Sequence, residues 1–323
     1  MKIDPLLRAL ADPTRLRIMR LLATMELAVG ELAQVLGQSQ PRVSRHIRIL
    51  VDALLAERRK EGSWVFLKAA IGEQGAPSLG RAAAQLLARA ETDDPAFAAR
   101  CAEDRRHLAA IRAAREATAA AYFAARAGQW DQIRTLHCPD GPVEAALAAA
   151  LAGAPVGHLL DIGTGTGRMA ELLAPGAEHV TGLDMSPEML RIARARLQHL
   201  PADKFDLVQG DFASLPFAGG SFDTVLFHQV LHYAQAPELA LAEAARVARP
   251  GGRIAVVDFA AHDREDLRSA HAHARLGFTD EQMLVLLGEA GFAPALPVAL
   301  AGTPLTVKIW TGQRSPQPAK VPA

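Results

Sequence analysis

The chain has 323 residues, 50% hydrophobic and 22% charged, a globular composition whose length suits two domains better than one. No run of about 20 apolar residues is present, and Asp4, Pro5 and Asp12 stand where a signal peptide would have its apolar core, so a cytoplasmic protein with no membrane partner is expected. The two cysteines, Cys101 and Cys138, are too few for a disulfide framework or a four-cysteine zinc site and read as ordinary thiols. The charges balance at 35 against 35, but residues 1–68 hold 12 Lys and Arg against 7 Asp and Glu (net +5), leaving 23 against 28 (net −5) in the rest. A basic N-terminal module has nucleic acid as its natural partner.

In chain order, Asp12-Pro13 places a cap before a first-turn proline, and Leu16, Met19 and Leu22 supply the inward face of a helix. A second helix runs from Val29 to Leu36 and stops at Gly37. Ser39 caps a third, in which Val43, Ile47 and Leu50 recur at helical spacing and turn Gln40, Arg42, Ser44, Arg45 and Arg48 outward. Helix, glycine turn and polar-faced helix form a helix-turn-helix pattern. Leu55 to Lys60 and Ser63 to Lys68 then flank Glu61-Gly62 as a hairpin, a basic wing carrying Arg58, Arg59 and Lys60.

Ala82 to Ala90 and Ala96 to Ala127 have high helix propensity and are separated by Thr92-Asp93-Asp94-Pro95. This connector is either a solvated spacer or a dimerisation or cofactor-covering element, since Leu86, Leu87, Leu108 and Ile111 need somewhere to bury. From residue 156 strand-like runs alternate with helices: His158 to Ile162, His179 to Leu183, Phe205 to Val208, Thr224 to Phe227 and Arg253 to Asp258. That alternation predicts an α/β domain with a parallel sheet. The last ten residues, from Arg314, carry three prolines and read as a disordered tail.

Within the second domain, Asp161-Ile162-Gly163-Thr164-Gly165-Thr166-Gly167 ends the first strand with a carboxylate and three glycines that permit close approach of backbone to a ligand. Arg168 stands where a dinucleotide fingerprint needs its last glycine, which disfavours nicotinamide. Asp161 instead suits a cationic group such as an ammonium. Asp184 ends the next strand 23 positions on, where a carboxylate meets ribose hydroxyls, and Asp211-Phe212 ends the third with an acceptor for an amino group and an aromatic face. Each Asp alone reads equally as a helix cap; the succession on three strands points to a ligand. His228, His232, Tyr233, His262, Asp263, His271 and His273 fall in loops on the substrate side, either as polar loop residues and caps or together as a polar pocket. No spacing among them suits a metal, so none is expected.

Two stretches carry a family resemblance. Leu10 to Ile18, Gln40 to Leu50 and Glu57 to Val65 resemble ArsR-type winged-helix repressors over about residues 5–70. That implies a homodimer on double-stranded operator DNA, with Gln40, Arg42, Ser44, Arg45 and Arg48 at the major groove and Arg59 and Lys60 at phosphate. The cysteines of the metal-sensing members are replaced by Glu26 to Glu31, and Leu54 stands where the family usually has glycine after the recognition helix.

Residues 140–312 look like a class I S-adenosylmethionine-dependent methyltransferase, with Leu215-Pro216-Phe217, Gly219 to Asp223 and Arg249 to Gly252 as later landmarks. The resemblance implies S-adenosylmethionine or S-adenosylhomocysteine as cofactor. Asp161, Gly163, Thr164, Gly165 and Gly167 would hold its methionyl part, Asp184 and Met185 the ribose, Asp211 and Phe212 the adenine, with His228 and Gln229 beside the sulfonium. His228, His232, His262 and His271 are the candidate catalytic residues, and Leu305 to Thr311 the antiparallel closing strand. Tyr122, Phe123 and Trp130 precede the core, either as packing or as part of a helix closing over the cofactor. No Asn-Pro-Pro-Tyr-like motif or cysteine follows the fourth strand, which argues against DNA amino or cytosine-C5 methylation and leaves a small-molecule acceptor.

The expected architecture is α/β: a winged helix-turn-helix over 1–75, a helical connector over 76–139, a Rossmann-like methyltransferase domain with a mostly parallel seven-stranded sheet over 140–313, and a tail over 314–323. The function expected is a regulator that senses the cofactor and modulates operator binding. The alternative is an active small-molecule methyltransferase that also autoregulates its operon.

Overall fold

The computed structural model describes residues 1–71, 78–131, 139–302 and 304–315. Cys138 and the tail from Pro316 lie outside the described residues; Cys101 is a buried free thiol. The chain divides into two compact units, Met1–Ala117 and Thr118–Ala323.

The first unit begins with α1 (Ile3–Leu10) and α2 (Pro13–Leu22), whose start is fixed by the Asp12 carboxylate accepting the Arg15 N–H at 3.0 Å. After the short β1 (Leu27–Ala28), α3 (Val29–Leu36) ends at Gly37, left-handed at φ +62°. In α4 (Gln40–Asp52) the Ser39 side chain makes no capping bond; its backbone carbonyl accepts the Arg42 and Val43 N–H groups instead. Val43, Ile47 and Leu50 are fully buried, so one stripe of α4 anchors it and the opposite stripe is free to present Arg42, Arg45 and Arg48. Leu54 turns left-handed at φ +59°, the conformation glycine would take there, and leads into β2 (Ala56–Glu61). β2 pairs antiparallel with β3 (Trp64–Ala69) around Gly62, and β1 adds to β3 to give the order β1-β3-β2. Two helices follow, α5 (Ser78–Asp93) and the long α6 (Pro95–Arg126). Ala83 and Leu87 of α5 and Leu108 of α6 enter the same apolar core as α2, α3 and α4, with Arg17 donating to Asp104 at 2.7 Å along its edge.

The second unit is built on β4 (Gly157–Ile162), β5 (Ala177–Asp184), β6 (Phe205–Gln209), β7 (Phe222–His228), β8 (Ala248–Phe259), β9 (Phe292–Pro294), β10 (Val298–Leu300) and β11 (Val307–Arg314). Eight strands take the order β10-β11-β8-β7-β4-β5-β6, with β9 also on β11. β4 through β8 are mutually parallel, and β11 runs antiparallel to β8. The seventh position of the expected sheet is split: β9 and β10 pair with different parts of β11 and are interrupted by the exposed Leu296 and the half-buried Pro297. Arg314, expected to open the tail, is the last residue of β11, because it pairs in register with Phe292. Helices on both faces bury alternate strand residues, Leu160, Val225 and Phe227 on one side and Leu159, Leu226 and Val257 on the other. The strand order reverses around β4, so the carboxyl ends of β4, β5 and β7 open a crevice at that switch point.

Candidate cofactor site and nucleic-acid interface

At the end of β4, Gly163, Gly165 and Gly167 are all left-handed, at φ +68°, +53° and +81°. A side chain at Gly163 would also strike Val230, 2.4 Å from its Cβ position, and one at Gly165 would press on the indole of Trp130 at 3.4 Å. Asp161 is buried beneath this loop; one carboxylate oxygen accepts from the Thr164 hydroxyl at 2.6 Å and the other, Oδ1, has no hydrogen-bond partner among the described residues. Burial pushes the Asp161 carboxyl up to about 7, with the Thr164 bond opposing and the charge of Asp184 adding. An unpaired buried carboxylate oxygen next to a glycine cradle is a receptor for a compact cation, which fits the ammonium end of S-adenosylmethionine.

Asp184 ends β5 and accepts the backbone N–H of Gly165 and of Ser186, both at 2.9 Å. Burial raises its pKa as well. Each oxygen keeps a lone pair for a hydroxyl, the role expected toward ribose. Met185 beside it is exposed, and Phe212 packs against the domain core. Asp211 is exposed and accepts the Ala213 N–H at 2.8 Å, a turn bond that leaves its second oxygen toward solvent. His228 and Gln229 are buried where β7 ends, and Gln229 is held at φ +52° while its N–H donates to the Val257 carbonyl at 2.7 Å. A non-glycine residue in this conformation is backbone strain maintained by its surroundings.

Several of the histidines lie in ring contact, His271 meeting His273 edge-on with ring centres 6.4 Å apart. His232 is buried and its Nδ1 lies 2.7 Å from Asp258 Oδ1, while the His232 N–H donates to Asp258 Oδ2 at 3.1 Å. His273 packs on it, ring centres 4.2 Å apart, and Tyr233 at 4.0 Å. His271 is hydrogen-bonded instead to the Tyr122 hydroxyl at 2.8 Å; burial and then Arg126 hold its pKa below the ordinary value. His262 is half-buried against Phe259. Among the described residues, no three His, Cys, Asp or Glu side chains could hold a metal ion together. Tyr122, Phe123 and Trp130 do more than fill space: Phe123 meets Tyr233 edge-on at 4.8 Å and Trp130 at 5.3 Å, and Trp130 lies on the glycine loop. Asp131 completes the cover, accepting from Thr166 at 2.7 Å and pairing with Arg196.

In the first unit a groove of about 930 Å³ is lined by Gln40 and Ser44 of α4, Gln34 of α3, and Arg58, Ser63 and Trp64 of the wing. Arg42, Arg45, Arg48 and Lys60 are exposed, so they can reach phosphate or a base edge. Arg59 cannot do so without breaking its own structure. Its guanidinium donates to Glu26 at 2.8 and 3.1 Å and to Glu61 at 2.8 Å, and sits over the Phe66 ring. Sequence reasoning missed Glu31. It closes the N-terminus of α3 by accepting the Ala28 N–H at 2.9 Å and also holds Arg115 of α6 at 2.9 Å; Arg115 in turn covers the Trp64 ring. It missed Asp258 too, whose partner lies 26 residues away.

Residues 12–57 match the family model of the arsR family of bacterial regulatory proteins, and residues 160–256 that of a methyltransferase domain. The chain therefore carries an ArsR-type helix-turn-helix domain followed by a Rossmann-like methyltransferase domain. It is 35% identical to a 37.1 kDa transposon-encoded protein of Streptomyces fradiae over 50% of this chain and 51% of that one. It is 30% identical to a demethylmenaquinone methyltransferase of Renibacterium salmoninarum over 51% of this chain and 64% of that one. It is 45% identical to a ubiquinone/menaquinone biosynthesis C-methyltransferase of Paracoccus denitrificans over 32% and 42%. The chain thus spans less than two thirds of each of these relatives. A solved S-adenosylmethionine-dependent methyltransferase from Mesorhizobium loti matches 54% of this chain and 99% of its own, at 21% identity and a TM-score of 0.48. No helix among the described residues is long and apolar enough to cross a membrane.

Proposed function

We propose that this protein is a DNA-binding transcriptional regulator, dimeric on its operator, whose methyltransferase unit takes S-adenosylmethionine or S-adenosylhomocysteine and thereby modulates operator affinity. The reading rests on one observation. Helix α6 serves both units: Arg112 and Arg115 engage Glu31, the residue that closes α3, and Tyr122 and Phe123 belong to the aromatic group that carries Trp130 onto the glycine loop. A ligand shifts a regulator only through differential binding to its states, and on this reading α6 would be the element through which that difference is felt. Asp161 and the three glycines would hold the methionyl end and Asp184 the ribose. The test is operator titration with and without saturating S-adenosylmethionine and S-adenosylhomocysteine; identical affinity in all conditions would sink it.

A second reading is favoured by the buried His232–Asp258 pair and by the methyltransferases among the relatives: a working small-molecule methyltransferase that also regulates its own operon. The bound cofactor supplies a sulfonium-activated methyl group, and the protein's part is to bind, to orient and to accept a proton. Methyl transfer from labelled S-adenosylmethionine to 4-nitrothiophenol, an acceptor already ionised near neutral pH, tests that reading without calling on any base.

A further inference from the structure

His232 and Asp258 make a pairing that packing alone does not require. Asp258 is fully buried and its carboxylate accepts three N–H groups: His232 N–H on Oδ2, and Phe259 N–H with His232 Nδ1–H on Oδ1. A carboxylate in that position fixes the tautomer: Nδ1 carries the hydrogen and Nε2 keeps its lone pair. Nε2 is buried with no hydrogen-bond partner among the described residues, and the His232 ring centre lies 4.0, 5.0 and 4.2 Å from those of Tyr233, Phe259 and His273. Leaving a buried acceptor unmade costs about 1–3 kcal/mol, so an unpaired lone pair held in one orientation by a buried acid is an arrangement with a missing donor. The turn Leu231–Tyr233 that carries it follows Val230, which packs against Gly163 of the cofactor loop, and Tyr233 lies 6.4 Å from Trp130.

We propose that His232 is the general base of a methyl transfer to an aromatic hydroxyl compound, a phenol or quinol, and that Asp258 is its positioning residue. The inference rests on the methyltransferase reading above. Nε2 takes the hydroxyl proton and becomes imidazolium beside Asp258. The O–H electron pair stays on the acceptor, which attacks the methyl group of a sulfonium donor; the carbon–sulfur pair returns to sulfur as a thioether, and His232 releases its proton to water. The rings of Tyr233 and His273 favour a flat acceptor over an aliphatic one.

The test uses the full chain with S-adenosylhomocysteine and the probe 4-nitrophenol, whose anion absorbs in the visible. His232→Asn keeps an amide N–H where Nδ1–H met Asp258, so the buried acid stays partnered while the base is gone. Asp258→Asn supplies one acceptor oxygen where the carboxylate supplies two, which forces the other tautomer or a clash. The parent is expected to bind the probe as its anion at a pH where free probe is largely neutral, and both variants to lose that shift while binding S-adenosylhomocysteine as the parent does. At that same pH, transfer to 4-nitrophenol should fall about 10²- to 10⁴-fold in His232→Asn, and transfer to 4-nitrothiophenol by far less. In His232→Asn the residual transfer should simply follow the ionised fraction of free 4-nitrophenol as pH changes; Asp258, Tyr233 and His273 face His232, and the Arg275 backbone N–H donates to the His232 carbonyl. An anion shift equal in parent and His232→Asn, or absent from the parent, overturns the base assignment. Failure of the parent to methylate 4-nitrothiophenol overturns the methyltransferase reading itself.

Discussion

Asp161 carries the clearest residue-scale consequence. Its carboxyl, pushed up to about 7 by burial, is substantially protonated in the ligand-free protein near neutral pH. A neutral acid cannot pair with an ammonium, so binding has to draw the proton off. Because the raised value makes the free state the one that holds the proton, affinity for S-adenosylhomocysteine should fall as pH drops through about 7, by up to about tenfold per unit below it. Asp161→Asn should bind more weakly and flatten that dependence; calorimetry at several pH values reads both, and an unchanged slope in the variant would remove Asp161 from the ammonium site. At Asp184 the loss is simpler. Asp184→Ala removes the acceptor of both Gly165 and Ser186 as well as the proposed ribose partner, and hydrogen bonds to a charged group are worth roughly 1.5–3 kcal/mol each. Cofactor affinity should drop at least about tenfold.

Among the elements, α4 and the wing separate two kinds of arginine that look alike in sequence. Arg42→Ala with Arg45→Ala should weaken operator binding and reduce its salt dependence, since exposed cations bind by displacing counterions from phosphate, and should leave the melting temperature near the parent's. Arg59→Ala should do the reverse. It strips the partner from Glu26 and Glu61, costing about 1–2 kcal/mol at this partly exposed site, and should lower the melting temperature with little change in salt slope. A steep loss of salt dependence on removing Arg59 would return it to the DNA surface. The same contrast explains what the sequence discloses. Helix-turn-helix order, the glycine loop and the acids ending β4 and β5 are legible because each is a local pattern: a periodicity, a spacing, a turn residue. The pairs Arg59 with Glu26, Arg115 with Glu31 and His232 with Asp258 are 33, 84 and 26 residues apart, and only sheet registry and helix packing decide them. The split outer strand was hidden for a related reason, since β9 and β10 are three residues each and acquire strand geometry only from β11.

For the whole molecule the central expectation is coupling. Saturating S-adenosylhomocysteine should change operator affinity by about 5- to 150-fold, the range that 1–3 kcal/mol of coupling gives, and by reciprocity operator DNA should change cofactor affinity by the same factor. Trp130→Ala, which empties the place over Gly165, should reduce both equally; an effect on only one of the two equilibria would break the thermodynamic cycle and with it the interpretation. Helix α6 adds a sharper requirement. Arg115 and Tyr122 are seven residues apart, close to two full turns, so they lie on one stripe of a single continuous helix. On the proposed coupling, what α6 would transmit is a phase. One alanine inserted after Ala117 would rotate everything beyond it by about 100°, two by about 200°, and four by little more than a complete turn. If rotation is the message, the ligand effect on DNA should disappear with one or two inserted residues and return with four, an alternation that a flexible tether would never produce.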